Sequence, residues 1–401
     1  MNKKKTVLVL ASTYPRWKDD PEPQFIHELC KRLTKEFNVI ALVPDSQSAD
    51  PNGYFDNVEV IRYRYAPKPL QSLVNNGGIV ANLKKFLWKW LLVPSFIFGQ
   101  YFALKSILKR RKIDLIHAHW LIPQGIIAQK LAHKNNIPFI VTSHGGDLYG
   151  LKGKQLTQIK KYVAESASAM TVVSSAMTTY LNGQNISPQI LQVIPMGIDL
   201  KTRFTPRDDL QRKTHELLFI GRLVEKKGIR FLLEALTILV KQYPKLTLKI
   251  IGFGPDEENL KLLTRKLNLE KHVDFLGAIS QQQLPHFYQT ASIFVAPFIQ
   301  ADNGDQEGLP VALMEAIGCA CPIIAGQVAG IEDLLGDDYS EASVDPRNIK
   351  ALANTITNVL ENPLAAKERS QRIRVRTLSF IDWDNITSRY AELIKKCINQ
   401  K

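Results

Sequence analysis

Two glutamates stand eight residues apart in the stretch EGLPVALMEA, Glu307 and Glu315. An ionised carboxylate only accepts hydrogen bonds, and its two oxygens suit a pair of vicinal hydroxyls. With a helical rise throughout, the pair would lie about 12 Å apart. That span is comparable to the separation of the two hydroxyl-rich ends of a nucleotide sugar, the sugar ring and the ribose. The same spacing equally describes a loop charge and a salt-bridged helix residue. Pro310 is tolerated in a first helical turn, so the helix is expected to begin near Leu309. The backbone N–H groups of Gly308 and Leu309 would then point outward, ready for a diphosphate.

Cations and glycines that could serve such an anion lie upstream. FIGRLVEKKG places Gly221 at an expected strand end, followed by Arg222, Lys226, Lys227 and Gly228. IIGFGPDEEN places Gly252 and Gly254 at the next strand end. Glycine allows close backbone approach to a ligand, and a following helix N-terminus favours an anion. Arginine adds a planar fork and lysine a point charge. In isolation Arg222 and Lys227 read equally well as solvated surface charges, and GFGP is not the six-residue dinucleotide fingerprint. His117 and His119 have the i, i+2 spacing of one strand face, but no third ligand accompanies them, so no metal is assigned. Asp382 and Asp384 of DWD lie away from any strand-end loop and read as helix capping.

The elements that must position these groups are short Val- and Ile-rich runs. TVLVLAS, NVIALVP, VEVIRYR, IDLIHAH, IPFIVTS, AMTVVSS and LQVIP fill the first half. ELLFIG, LTLKIIG, VDFLG, SIFVAP and CPIIAG follow in the second. Helical patterns separate them, as in QFIHELCKRLTKEF, where Phe25, Leu29 and Leu33 share a face. Continuous apolar strands alternating with helices imply parallel sheets covered on both sides. A chain of 401 residues exceeds one ordinary core, and the polar stretch after Pro195 places a boundary near Lys201. The expected fold is two doubly wound α/β domains facing a cleft, with ligands beyond the carboxyl ends of the strands. A nucleotide-dependent dehydrogenase would need a glycine fingerprint after the first strand, and that loop, STYPRWKDDPEPQ, has no glycine.

Composition narrows the class. The chain is 45% hydrophobic and 22% charged, as in a soluble globular protein. Cys30, Cys319, Cys321 and Cys397 fit neither a zinc knuckle nor a C-x-x-C pair and read as reduced thiols of a cytosolic protein. The apolar run of MNKKKTVLVLAST is too short for a signal peptide and suits a first buried strand.

EGLPVALMEA resembles the E-x7-E motif of retaining glycosyltransferases of the GT-B fold, in particular glycosyltransferase family 4, the group 1 transferases. GRLVEKKG, IIGFGP, VDFLGAIS, IDLIHAHWLIPQG and VTSHGGD are similar to the family's other segments, in the family's order. The resemblance implies a hexosyltransferase-type enzyme using a UDP- or GDP-sugar as co-substrate, with no cofactor and no metal. Residues 1–200 would be the acceptor domain, with a basic membrane-facing segment at 79–112. Residues 201–378 would bind the nucleotide sugar, and a helix in 379–401 would pack back on the first domain. By the same resemblance, Arg222 and Lys227 would neutralise the diphosphate, Glu307 would bind sugar hydroxyls and Glu315 ribose hydroxyls. Backbone at Phe275 to Gly277 would contact the base, Gly252 and Gly254 would leave room for the nucleoside, and Gly221 would belong to the same donor-binding set. His144 would reach the transferred sugar, with His119 and Asp147 as first-domain partners. The family's paired-glycine loop after the first strand is missing, so Arg16, Trp17 and Asp19 are acceptor candidates only. Retention would follow from same-face attack within an ion-pair-like transition state, with charge on the leaving phosphate as the main thing to stabilise.

Net charge bears on the acceptor. Residues 60–113 hold no Asp or Glu, and their eleven Lys and Arg supply most of a net +14. The uncharged stretch 90–104 has fifteen residues, and no segment offers the ~20 apolar residues of a spanning helix. Basic and aromatic faces suit the headgroup interface, where each cation contributes about 1 kcal/mol near an anionic leaflet. The expectation is peripheral attachment to the inner face of a cytoplasmic membrane and a glycan or lipid-linked acceptor. No nucleic-acid motif accompanies the charge. A core helix with a solvated basic face, a soluble acceptor, or a non-catalytic membrane-associated scaffold are the competing readings.

Overall fold

The computed structural model describes residues 4–400 apart from 19, 21, 76 and 77. Asp19, named above as an acceptor candidate, lies outside the described residues, as do the side chains of Lys84 and Lys85. The chain forms two compact units. The second is Gly197–Trp383, and the first combines the residues before it with those from Asp384 onward.

The first unit is built on β1 (Thr6–Leu10), β2 (Asn38–Pro44), β3 (Gly53–Phe55), β4 (Val58–Tyr63), β5 (Leu115–His119), β6 (Phe139–Ser143), β7 (Ala169–Val172) and β8 (Leu191–Val193). They lie in the order β3-β4-β2-β1-β5-β6-β7-β8, and only β3 runs antiparallel. β5 and β6 are buried at every residue, as parallel strands sandwiched between helices must be. Helix Phe25–Leu33 buries Ile26, Leu29, Cys30 and Leu33. Its inward stripe therefore starts at Ile26, and the expected Phe25 turns toward His144 instead.

The second unit carries β9 (Glu216–Ile220), β10 (Thr247–Ile251), β11 (Val273–Gly277), β12 (Ile293–Ala296), β13 (Ile323–Gly326) and β14 (Ser343–Val344). All are parallel, in the order β11-β10-β9-β12-β13-β14. That order reverses between β9 and β12, the topological switch point where open α/β sheets bind ligands. In the first sheet the reversal falls between β1 and β5.

Two helices close the chain. Pro363–Ile381 ends at Asp382, whose backbone is extended, and Asp384 sits in the first turn of Trp383–Asn399, where a carboxylate suits the helix dipole. Gly197 packs against the Trp383 ring, and a Cβ there would come within 2.4 Å of it. The last helix buries Ile386, Tyr390, Leu393 and Ile394. All four cysteines are buried thiols.

The basic segment departs from expectation. A one-turn helix at Leu87–Leu91 runs into Leu92–Arg110, a joint stretch of 24 residues long and apolar enough to cross a membrane by length and composition. Counting uncharged residues missed it because Lys89 does not interrupt it. Lys89 is buried, its Nζ donating to Ser72 O at 3.0 Å and Asn82 Oδ1 at 2.6 Å. Arg62 is also turned inward, donating to the carbonyls of Asp50, Pro15 and Arg16. Arg111 pairs with Glu59. Fewer of the eleven cations therefore face outward than the sequence suggests.

Candidate functional site

At the switch point of the second sheet the chain leaves β9 through Gly221 and makes one turn of 3-10 helix, Glu225–Lys227. Gly228 follows in the left-handed region (φ 63°), and a Cβ there would lie 1.8 Å from the Pro297 carbonyl beyond β12. Only glycine lets these two strand ends close together. The Ile299 N–H donates to Lys226 O at 2.9 Å, and the Asp302 N–H donates to Glu225 Oε1 at 2.9 Å. The loop after β12 is thereby tied down beside the two lysines.

Glu307 lies between those lysines. Its Oε1 is 3.4 Å from Lys226 Nζ and its Oε2 is 3.4 Å from Lys227 Nζ. Lys226 also meets Asp305 at 3.2 Å, and Lys227 lies 4.2 Å above the centre of the Phe298 ring. Burial pushes the Glu307 carboxyl up, but Lys226 and Lys227 outweigh it and hold it at about 2. Burial lowers Lys227, aided by the neighbouring Lys226 and Arg222 charges and opposed by Glu307. Lys226 is shifted the other way, since Glu307 and Asp305 overcome its desolvation. Arg222, Lys226 and Lys227 together set three cations against two carboxylates, a net positive cluster suited to a polyphosphate. The sequence reading gave a role to Lys227 and none to Lys226, although both stand in the quoted motif.

The glycines act on the chain itself. A Cβ on Gly252 (φ 135°) would lie 1.9 Å from the Gly221 carbonyl, and one on Gly254 would lie 2.2 Å from that of Leu223. Backbone hydrogen bonds from Gly221 to Ile251, Leu223 to Phe253 and Gly252 to Gly277 lace the three strand-end loops together. The expectation that Gly252 and Gly254 open space for a ligand is thus corrected: the neighbouring loop occupies that space. Phe275 is half-buried on the edge strand β11, with Lys261 5.9 Å from its ring centre, and Gly277 ends that strand at φ 67°.

The helix after Glu307 is Val311–Gly318, two residues later than expected, because Pro310 keeps an extended ψ of 117°. Gly308 and Leu309 are buried in the preceding loop, so their N–H groups are not those of a first helical turn, and the 12 Å helical estimate does not apply. Glu315 lies on this helix and is 5% exposed. Tyr288 donates to its Oε2 at 2.8 Å. Burial raises it to about 7, against the pull of Tyr288 and Arg203. Glu307 and Glu315 therefore differ in protonation as well as place.

In the first unit the imidazoles gather at the ends of β5 and β6. His119 Nδ1 and His144 Nε2 are 2.9 Å apart, and their rings lie within 17° of parallel. His144 is half-buried between Phe25 and Trp120. Trp120 takes a positive φ of 77°, uncommon for a bulky residue and a strain that neighbouring structure must hold. His117 bonds Thr142 Oγ1 at 2.7 Å, continuing through Thr171 to the Tyr390 hydroxyl. Burial lowers His117 and His144 to about 3 and holds His119 well below the ordinary histidine value, so all three are neutral at pH 7. His119 Nε2 is buried without a partner. Orphaned donors are rarer than orphaned acceptors, which assigns the proton to His119 Nδ1. His144 then accepts at Nε2 and presents Nδ1–H.

Asp147 is buried. Both oxygens are engaged within its own unit, accepting from Leu121 N–H (2.7 Å), Ser143 Oγ (2.8 Å) and His144 N–H (3.2 Å). It positions His144. Arg16 is likewise committed, its fork closed on the fully buried Asp20 at 2.7 and 2.8 Å over the Trp17 ring. Arg16 also lines a small cavity with Ser12, Thr13, Tyr14 and Arg62, and its acceptor role stays a proposal. Asp20 and Tyr390 had no sequence signal, since only the fold joins them to their partners. Among the described residues, no group of three or more His, Cys, Asp or Glu could hold a metal ion.

Comparison with known proteins bears on both halves. Residues 202–376 match the family described as Glycosyl transferases group 1, and residues 24–202 match Glycosyltransferase Family 4. Over 302 residues the chain is 26% identical to the GDP-mannose-dependent alpha-(1-6)-phosphatidylinositol monomannoside mannosyltransferase of Mycolicibacterium smegmatis, covering 73% of this chain and 78% of that one. Sucrose-phosphate synthase from Thermosynechococcus elongatus superimposes with a TM-score of 0.80 at 20% identity, over 99% of this chain and 100% of that one. Anabaena Alr3699/HepE in complex with UDP-glucose gives 0.74 at 16% identity, over 98% and 99%. At such identities the two structures establish the GT-B fold alone.

Proposed function

Since the chain belongs to glycosyltransferase family 4, the group 1 transferases, we propose that it moves a sugar from a nucleoside diphosphate sugar to a lipid-linked or membrane-associated acceptor, with retention at the anomeric carbon. The observation that carries this is the Lys226–Glu307–Lys227 cluster at the β9/β12 switch point. A diphosphate there would be met by two ammoniums and Arg222, leaving Glu307 to accept hydrogen bonds from sugar hydroxyls. Glu315, buried beside Tyr288, would take the ribose hydroxyls, and backbone at Phe275 to Gly277 the base. The second unit thus takes the donor and the first, which carries His144, the acceptor.

In the transfer step the acceptor oxygen bonds to the anomeric carbon as its bond to the phosphate breaks. The acceptor proton passes to the leaving phosphate, on the same face. Charge develops on that phosphate, and fixed cations oppose it without reorganising. Lys226, Lys227 and Arg222 serve in place of a divalent ion. HepE's complex with UDP-glucose supports a uridine donor, and the mannosyltransferase relative, which is GDP-mannose-dependent, supports a guanosine one. The relative's phosphatidylinositol monomannoside supports a lipid acceptor, and with a lipid acceptor the chain would sit peripherally on the inner face of the cytoplasmic membrane.

The test is a panel of UDP- and GDP-sugars, scored for hydrolysis and for transfer to lipid extracts, with and without EDTA. Turnover of at least one donor that persists in EDTA is expected. Inertness toward every donor would leave a non-catalytic scaffold as the better reading, and a metal-reversible loss in EDTA would reject the cation-only mechanism.

A further inference from the structure

The helical stretch Leu87–Arg110 has two different sides. Leu92, Phe96, Gln100, Leu104 and Ile107 are buried, and they recur at helical spacing. Gly99 lets the helix approach β4, where a Cβ would meet the Arg64 carbonyl at 2.8 Å. The outer side is apolar and exposed. Leu87 is 77% exposed, Trp90 57%, Leu91 80%, Phe98 59% and Phe102 59%. Only 28% of the most apolar window is buried, whereas a core helix would be mostly buried. On the outer side Leu91, Phe98 and Phe102 lead into Lys105 and Lys109, so the row turns from apolar to basic toward Arg110 and Lys112.

We infer that this outer side inserts into the headgroup and upper acyl region of a phospholipid bilayer, with the helix lying along the surface. The inference deepens the proposed membrane-borne acceptor and rests on that reading for its purpose. Length and composition would also permit spanning, but the inward residues and Gly99 fix the helix to the sheet of its own unit. Trp and Phe flanked by lysines match the interface, where aromatic rings settle and cations meet anionic headgroups. A second copy of the chain fits less well. A two-fold contact would present this basic row to itself, with no acidic residue in 60–113 to pair it. Insertion rests mainly on the apolar side chains, because Lys89 and Arg62 are committed inside the unit and Arg111 pairs with Glu59.

The experiment uses the full chain with vesicles of phosphatidylcholine alone and of phosphatidylcholine with phosphatidylglycerol. Binding should be stronger on the anionic vesicles at low salt. A substantial part should survive about 1 M salt, where the Debye length is about 3 Å. The combined variant Trp90→Ser, Leu91→Ser, Phe98→Ser and Phe102→Ser should bind both vesicles at least about tenfold more weakly, with an unchanged melting curve and unchanged donor hydrolysis. Tryptophan emission should be quenched by lipids brominated near the headgroup. Complete loss of binding at high salt, or a variant that binds like the parent, would overturn the inference. So would quenching confined to tail-end bromines, which means spanning, or self-association without vesicle binding, which means a contact between copies. Donor hydrolysis measured without vesicles reads the enzymatic proposal separately, so either can fail alone.

Discussion

At the scale of single residues, the two glutamates are opposites. Glu307 is ionised between two ammoniums, and Glu315 is a buried carboxyl raised to about 7. Their effects on stability carry opposite signs. Glu315 binds its proton more tightly folded than unfolded, so its contribution is full below the ordinary glutamate range. It declines by about 3 kcal/mol as pH rises from there to about 7. Glu307 contributes above the ordinary range and loses that contribution as pH falls toward about 2. Urea unfolding of Glu315→Gln should therefore show a flatter fall in stability between pH 4.5 and 7; an unchanged slope would place its titration elsewhere. For catalysis, Lys227→Ala and Glu307→Gln should each lower kcat/KM by about a hundredfold or more, the scale of a lost transition-state contact. Rates within a few-fold of the parent would remove the donor site from this cluster. Glu307→Ala should also unfold more easily, by about 3 kcal/mol, because it leaves the buried Lys227 ammonium without its carboxylate while Lys226 keeps Asp305. The resemblance singled out Lys227, Glu307 and Glu315, and the structure brings the first two together. The commitment of Arg16 to Asp20 and of Asp147 to three donors was not legible in the sequence, because a side chain's partner is a tertiary fact.

At the scale of elements, the strands were legible because a run of Val, Ile and Leu has few other places to go than a sheet covered on both faces. Boundaries and loop roles were less so. Pro310 has the φ of a first helical turn, and only its extended ψ delays the helix to Val311. Gly252 reads in sequence as room for a ligand, yet it makes room for Gly221, a residue from the preceding βα unit. Gly252→Ala should thus cost more than about 3 kcal/mol in chemical denaturation, combining a clash at 1.9 Å with a left-sided φ. Gly146→Ala, where a Cβ meets nothing within 4 Å, is the control and should be near neutral. Equal effects at the two positions would mean that the loops can part at little cost.

At the scale of the whole molecule, the chain is cut into units that do not follow its order. Residues from Asp384 onward belong with the first unit, where the Tyr390 hydroxyl meets Thr171 at 3.2 Å and Lys395 pairs with Glu36. Ending the chain after Trp383 should raise hydrogen exchange throughout β6 and β7 while sparing the sheet of the second unit. Uniform loss of protection in both sheets would show that the two units unfold together. The arrangement also has a consequence for the order of biosynthesis. Residues 197–383 must be made before the first unit receives its last helix. At about 5–20 residues per second that is on the order of ten to forty seconds of translation. For that time β6 and β7 wait with His117 and Thr171 short of their Tyr390 neighbour. The second unit, contiguous in the chain, can close first, so the part made earliest is the part completed last.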